Sequence, residues 1–293
     1  SLIQEKYMKQ LFTLLTIILF SQMAQSQQTD DSYEILWKKV EKLEGEALTK
    51  SALEAVKTIS EKAKKENNSA QIVKCLVYTS KYALILEEDA QLKIVADFKT
   101  EIAKSEFPTK NVLESYLANL YWQYFQQNRY QFYNRTHTES KIDSVDYRTW
   151  DLVTLFNEIN LHFKNSIKDP IQLQKIGLQD FSEILDRQKG SETYRPTLFD
   201  LLAHTALDFY KSGENNITRP ADKFEINDPE YLCEASSFIP LQIPLNDSTS
   251  LQARALQIYQ ELIRFHKNDA TSEALVQVDL DRLNFIHQNA VFE

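Results

Sequence analysis

"TKSALEAVKTISEKAKKENNSAQIVKCLVYTSKYALILEE", residues 49–88, decides the fold class. Leu53, Val56 and Ile59 recur at three- and four-residue steps with charged residues between them, the period of an amphipathic helix rather than a strand. Asn67 and Asn68 interrupt the pattern, and Thr49 and Ser69 stand where N-caps are expected. Beyond the break, Ile72, Cys75, Leu76 and Thr79 share a second helix face. Two helices joined by a few polar residues read as an antiparallel hairpin.

The same grammar extends in both directions. Upstream, "DDSYEILWKKVEKLEGEAL" (30–48) sets Tyr33, Leu36, Trp37, Val40 and Leu43 on one stripe. Downstream comes "DAQLKIVADFKTEIAKSE" (89–106), and Pro108 then opens a further helix. In "DYRTWDLVTLFNEINLHFKNSI" (146–167) the stripe is Trp150, Val153, Phe156 and Ile159. "RPTLFDLLAHTALDFYKSG" (195–213) runs from Pro196 in a first turn to Gly213 past the end. Only four glycines and seven prolines punctuate 293 residues, too few for a sheet-rich chain. The expectation is an all-α fold of antiparallel helical hairpins, a tetratricopeptide-like array without that repeat's consensus offsets.

Residues 1–26 read as upstream residues and a signal peptide. Lys9 precedes ten uncharged residues, "LFTLLTIILF" (11–20), and Ala24 and Ser26 set a cut before Gln27. Ten residues at about 1.5 Å rise cannot span a hydrocarbon core of about 30 Å. Residues 27–213 form the helical-hairpin domain. Residues 214–250 hold four of the seven prolines and read as an extended connector, packed through Phe224, Ile226, Tyr231 and Leu232. Residues 251–293 read as the start of a further, truncated helical-repeat unit, with Leu256, Tyr259 and Leu262 facing Leu275, Val278, Leu283 and Ile286.

Forty-two acidic against 33 basic residues give a net charge of −9, without the electrostatic footprint of a nucleic-acid or anionic-membrane binder. The phosphate loops, nucleophile elbows and metal signatures of common enzymes are missing, and five histidines are scattered without an i,i+4 pair. No cofactor, metal site or catalytic residue is expected. His204, one turn from Asp200 and Asp208, reads as a hydrogen-bonded core histidine. Cys75 reads as a small buried hydrophobe, and a single Cys75–Cys233 pair would not make a disulfide scaffold.

"YWQYFQQNRYQFYNRT" (121–136) packs seven aromatics into thirteen residues. Leu113, Leu117, Leu120, Tyr121, Tyr124 and Phe125 continue one core stripe. Trp122, Arg129, Tyr130, Phe132, Tyr133 and Arg135 fall off or beyond it, and are the candidates for a partner surface or domain junction. Arg129 and Arg135 are expected to stack on aromatic faces or to pair with Asp143, Asp146 or Asp151.

That string, followed in order by "YRTWDLVTLFNEI" (147–159), "RPTLFDLLAHTALDFY" (195–210) and "FEINDPEYL" (224–232), resembles the N-terminal helical region of large exported bacterial alpha-2-macroglobulin-like proteins. "LWKKVEKLEGEALTKSALEAVKTISEKAKKENNSAQIVKCL" (36–76) is similar to the start of the same region. The resemblance implies a long parent with β-sandwich and thioester-type domains downstream, trapping proteases in the periplasm or at the cell envelope. "CEAS" at Cys233 does not match a thioester C-x-E-Q, so no functional residue carries over. This chain would be the non-catalytic scaffold, with downstream domains of its own polypeptide and protein partners, proteases among them, as its contacts. The alternative expectation is a SusD-like glycan binder with Trp122, Tyr130 and Tyr133 as its stacking platform.

Overall fold

The computed structural model describes residues 32–133, 145–186, 188–214, 224–244 and 250–292. The signal-peptide segment, Arg135 and Asp143 lie outside the described residues. Five long helices follow in close succession: α1 (Tyr33–Gly45), α2 (Thr49–Lys65), α3 (Ser69–Leu86), α4 (Ala90–Lys104) and α5 (Thr109–Tyr133). Then come α6 (Leu152–Ser166), α7 (Leu198–Tyr210), α8 (Leu251–His266) and α9 (Glu273–Asn289), separated by short helical turns such as Leu178–Ile184 and Ala235–Phe238. Among the described residues, β pairing is confined to two isolated bridges, Gly177 with Thr197 and Ile226 with Ala290. The fold is all-α, an array of packed hairpins.

The first two loops share one geometry, which explains where the sequence reading of the caps slips. Ala47 (φ 58°) and Asn67 (φ 51°) adopt the left-handed conformation. The next amides, Leu48 and Asn68, then donate back to the carbonyls of Leu43 and Ala63, each at 2.9 Å. This is the Schellman closure, and it starts the following helix one residue early. Leu48 therefore occupies the expected cap position of Thr49 and makes no side-chain cap bond. Asn68, not Ser69, caps α3 by accepting from the Gln71 amide at 3.2 Å. At α7 a capping box of Thr197 and Asp200 sets the start, leaving Pro196 outside the helix rather than in its first turn.

Burial divides the chain into two clusters that meet at α3. Trp37, Val40, Ala52, Val56 and Ile59 pack with Cys75 and Tyr82, on one face of α3, as a thin N-terminal layer. Ala70, Val73 and Ala83, on its other face, belong to a much larger core built from α4 to α9. The centre of that core is α5, whose residues from Asn111 to Ser115 are buried in succession. A helix covered on all sides cannot keep a polar face.

The hairpin of α8 and α9 contributes Leu256, Tyr259, Leu262, Val278 and Ile286 to this same core and builds none of its own. Phe224, Ile226 and Tyr231 anchor the connector as expected. Leu232 does not: it is 42% exposed, because the turn at Pro229–Leu232 points its neighbour Tyr231 inward instead. Phe238 supplies the missing anchor, and the guanidinium of fully buried Arg282 lies 4.3 Å from its ring centre. Arg282 also donates to the backbone carbonyls of Tyr231 (2.6 Å) and Cys233 (2.8 Å), clamping the connector to α9.

Candidate functional site

The aromatic stretch is split by a break in α5. Asn128 leaves helical geometry (φ −115°, ψ 18°), and its side-chain amide donates to the Tyr124 carbonyl at 2.9 Å. A side chain competing for a helix carbonyl in this way bends the helix. Before the break, Trp122 is buried, stacked on Phe125 (5.3 Å) and set edge-on to Phe156 (5.9 Å) and Phe209 (5.1 Å). Tyr121 packs edge-on to Tyr147 at 5.1 Å. After it, Phe132 turns back into the core against Phe125 at 5.8 Å.

The remaining described candidates face outward. Tyr130 is 88% exposed and Tyr133 is 52% exposed. Arg129 lies over the Tyr133 ring at 5.6 Å, as expected of stacking. Its ion-pair partner, however, is Glu214 rather than Asp146 or Asp151, and the Tyr133 hydroxyl donates to the same carboxylate. Glu214 directly follows Gly213, whose left-handed φ of 74° turns the chain at the end of α7. Arg129 and Tyr133 therefore tie the end of α5 to the end of α7. Burial of Trp122 separates it from Tyr130 and Tyr133, so the three share no stacking platform.

Two buried histidine–carboxylate clusters were not read from the sequence. His162 Nδ1 lies 2.5 Å from Glu114 Oε2, and its Nε2 lies 3.6 Å from Glu158 Oε1. Lys99 pairs with Glu158 at 2.8 Å, and Tyr121 stacks on the imidazole at 5.9 Å. Burial pushes the His162 pKa down, but Glu114 and Glu158 outweigh it and the net shift is upward. The His162 ring, with Lys99 behind it, holds the Glu158 carboxyl at about 2 despite its burial.

His266 is bracketed on both nitrogens, by Asp269 on Nδ1 (2.6 Å) and Asp200 on Nε2 (2.7 Å). Burial again opposes the charge, and the two carboxylates again prevail, raising its pKa. Both rings therefore act as braces: His162 joins α6 to α5, and His266 joins the end of α8 to the capping box of α7. Both nitrogens of His266 are hydrogen-bonded to carboxylates, whereas the buried Nε2 of His162 has Glu158 near it but no hydrogen-bond partner. A local signal existed for each, since Glu158 precedes His162 by four residues and Asp269 follows His266 by three.

His204 is buried as expected, but its Nε2 has no hydrogen-bond partner. Burial, with Arg195 nearby, drops its pKa to about 4, so it stays neutral. Cys75 and Cys233 are free thiols, and burial pushes Cys75 up to about 12, which makes it inert. Among the described residues no group of three His, Cys, Asp or Glu side chains is placed to hold a metal ion. Among them also, no helix is long and apolar enough to cross a membrane. Comparison with known proteins adds no assignment to this geometry: no family model, curated protein or solved structure matches the chain.

Proposed function

We propose that this chain is a non-catalytic helical scaffold that makes protein–protein contacts, the N-terminal region of an exported alpha-2-macroglobulin-like envelope protein. The observation that carries the contact role is the outer end of α5. Tyr130, 88% exposed, sits one residue past an Arg129 side chain held by Glu214, at the end of a helix anchored in the core through Tyr121, Trp122 and Phe125. An exposed aromatic beside a fixed arginine has the composition of a binding hot spot, and pre-organisation lowers the cost of using it. The four sequence strings in order support the parentage, and the pattern of residues 8–26 supports export to the periplasm or cell surface.

The test has two arms. Reading the coding sequence past residue 293 is expected to reveal β-sandwich domains; their absence sinks the parentage. In the full-length protein, a photocross-linking side chain placed at position 130 is expected to capture a partner domain or protein that one placed at Lys39 on α1 does not. Equal labelling from both positions would remove the contact role.

A further inference from the structure

A groove between the end of α6 and the flank of α8 carries a charge pattern opposite to that of the chain as a whole. It encloses about 490 Å³ and is lined by Lys164, Lys168 and Arg254, with Glu261 as its one acid, in a chain of net charge −9. Ile167, Pro170 and Ile258 supply its apolar lining. That volume is within the range of small-molecule pockets, about 300–1,000 Å³.

The three cations are not committed elsewhere. Among the described residues none of them has an ion-pair partner. Lysines near a helix C-terminus often serve to satisfy its last carbonyls. Here that task belongs to Asn111, whose side-chain amide reaches the carbonyls of Asn165, Ser166 and Lys168 at 3.4, 3.1 and 3.1 Å. Arg254 donates from Nη1 to Gln257 Oε1 at 3.0 Å, while its Nε is buried with no hydrogen-bond partner. That Nε is closed to solvent, so the part of Arg254 that lines the groove is what an incoming anion would meet. Burial pushes the Glu261 carboxyl up, against the opposing pull of Arg264.

We propose that this groove binds a small organic dianion, a phosphate monoester or a dicarboxylate, with its charged end between Arg254 and the two lysines and its apolar arm on Ile167, Pro170 and Ile258. Arg254 offers a directional fork and the lysines offer point charges, a division suited to an anion with two charged oxygens. The site is independent of the partner surface at the end of α5.

Equilibrium dialysis of the full chain against phenyl phosphate and, separately, phthalate tests this. Saturable binding of at least one probe is expected, with Kd below about 1 mM at low ionic strength, and the tighter probe identifies the dianion class. Arg254→Met is expected to weaken it by about tenfold or more, and Lys168→Ala, at an exposed position, by about threefold. Added salt should weaken binding, and inorganic phosphate, lacking the apolar arm, should bind about tenfold less tightly than phenyl phosphate. No saturable binding of either probe overturns the proposal, as does wild-type affinity in Lys168→Ala together with a folded Arg254→Met. Equal affinity for inorganic and phenyl phosphate removes the apolar arm.

Discussion

The N-terminal layer and the main core are built on different principles, although both are helical. The layer's apolar packing is sequence-local, its buried residues running from Trp37 to Tyr82; Trp37 Nε1 donates to Gln71 at 2.7 Å, and Gln71 donates to Glu183 at 2.6 Å, a long-range polar tie. Ion pairs such as Lys38–Glu34 dress its outside and are largely exposed, so solvent screens them. The main core is held by polar pairs that span the chain. Glu114 meets His162 across 48 residues, Asp200 meets His266 across 66, and Tyr133 meets Glu214 across 81. A unit whose contacts are local can open alone, whereas one closed by distant pairs opens as a whole.

Three measurements break or sharpen that contrast. Tyr121→Ala, which empties the middle of the main core, is expected to cost about 3–5 kcal/mol in denaturant unfolding and to lower hydrogen-exchange protection in α5 through α9 together. Its hydroxyl is buried with no partner, so Tyr121→Phe should be neutral or stabilising. A smaller loss, about 2–4 kcal/mol, is expected for Ile59→Ala, and exchange should accelerate in α1 and α2 while α6 to α8 keep wild-type protection. Global loss of protection in that variant would erase the distinction.

The gentlest probe is pH. Buried His162 and His266 have raised folded-state pKa values, so the stability they add is complete below the unfolded value of about 6.5. It is lost as pH rises through the folded values. The N-terminal layer contains no histidine. Exchange protection should therefore fall across α6 to α8 as pH rises above about 6.5 while α1 and α2 stay flat, and His266→Gln should flatten part of the slope. A uniform response along the chain would contradict the assignment.

The hairpin architecture was legible because periodicity is local: Leu53, Val56 and Ile59 announce a helix wherever they end up. Caps slipped by a residue because the left-handed turns at Ala47 and Asn67 are closed by backbone, which leaves no side-chain signature. Trp122 was misplaced for another reason. A stripe argument assumes one buried face, and α5 buries Tyr121, Trp122 and Phe125 together, leaving only Gln123, Gln126 and Gln127 exposed around them. Only half of each histidine brace is legible, since Glu158 and Asp269 are sequence neighbours of their rings and the other carboxylate comes from another helix. Glu114 and Asp200 carry no mark of the ring they will meet. Leu232 failed by the parity of a single turn, which hydrophobicity alone does not set.

The clamp made by Arg282 has a consequence for how the molecule is assembled. The carbonyls of Tyr231 and Cys233 are translated 51 and 49 residues before the side chain that receives them. Until that arginine emerges from the ribosome, the connector has no donor for these groups and no cation over Phe238. Residues 224–244 are thus synthesised before the side chain that clamps them to α9, and in a nascent chain stalled before residue 282 they should be more open to protease than in the finished chain.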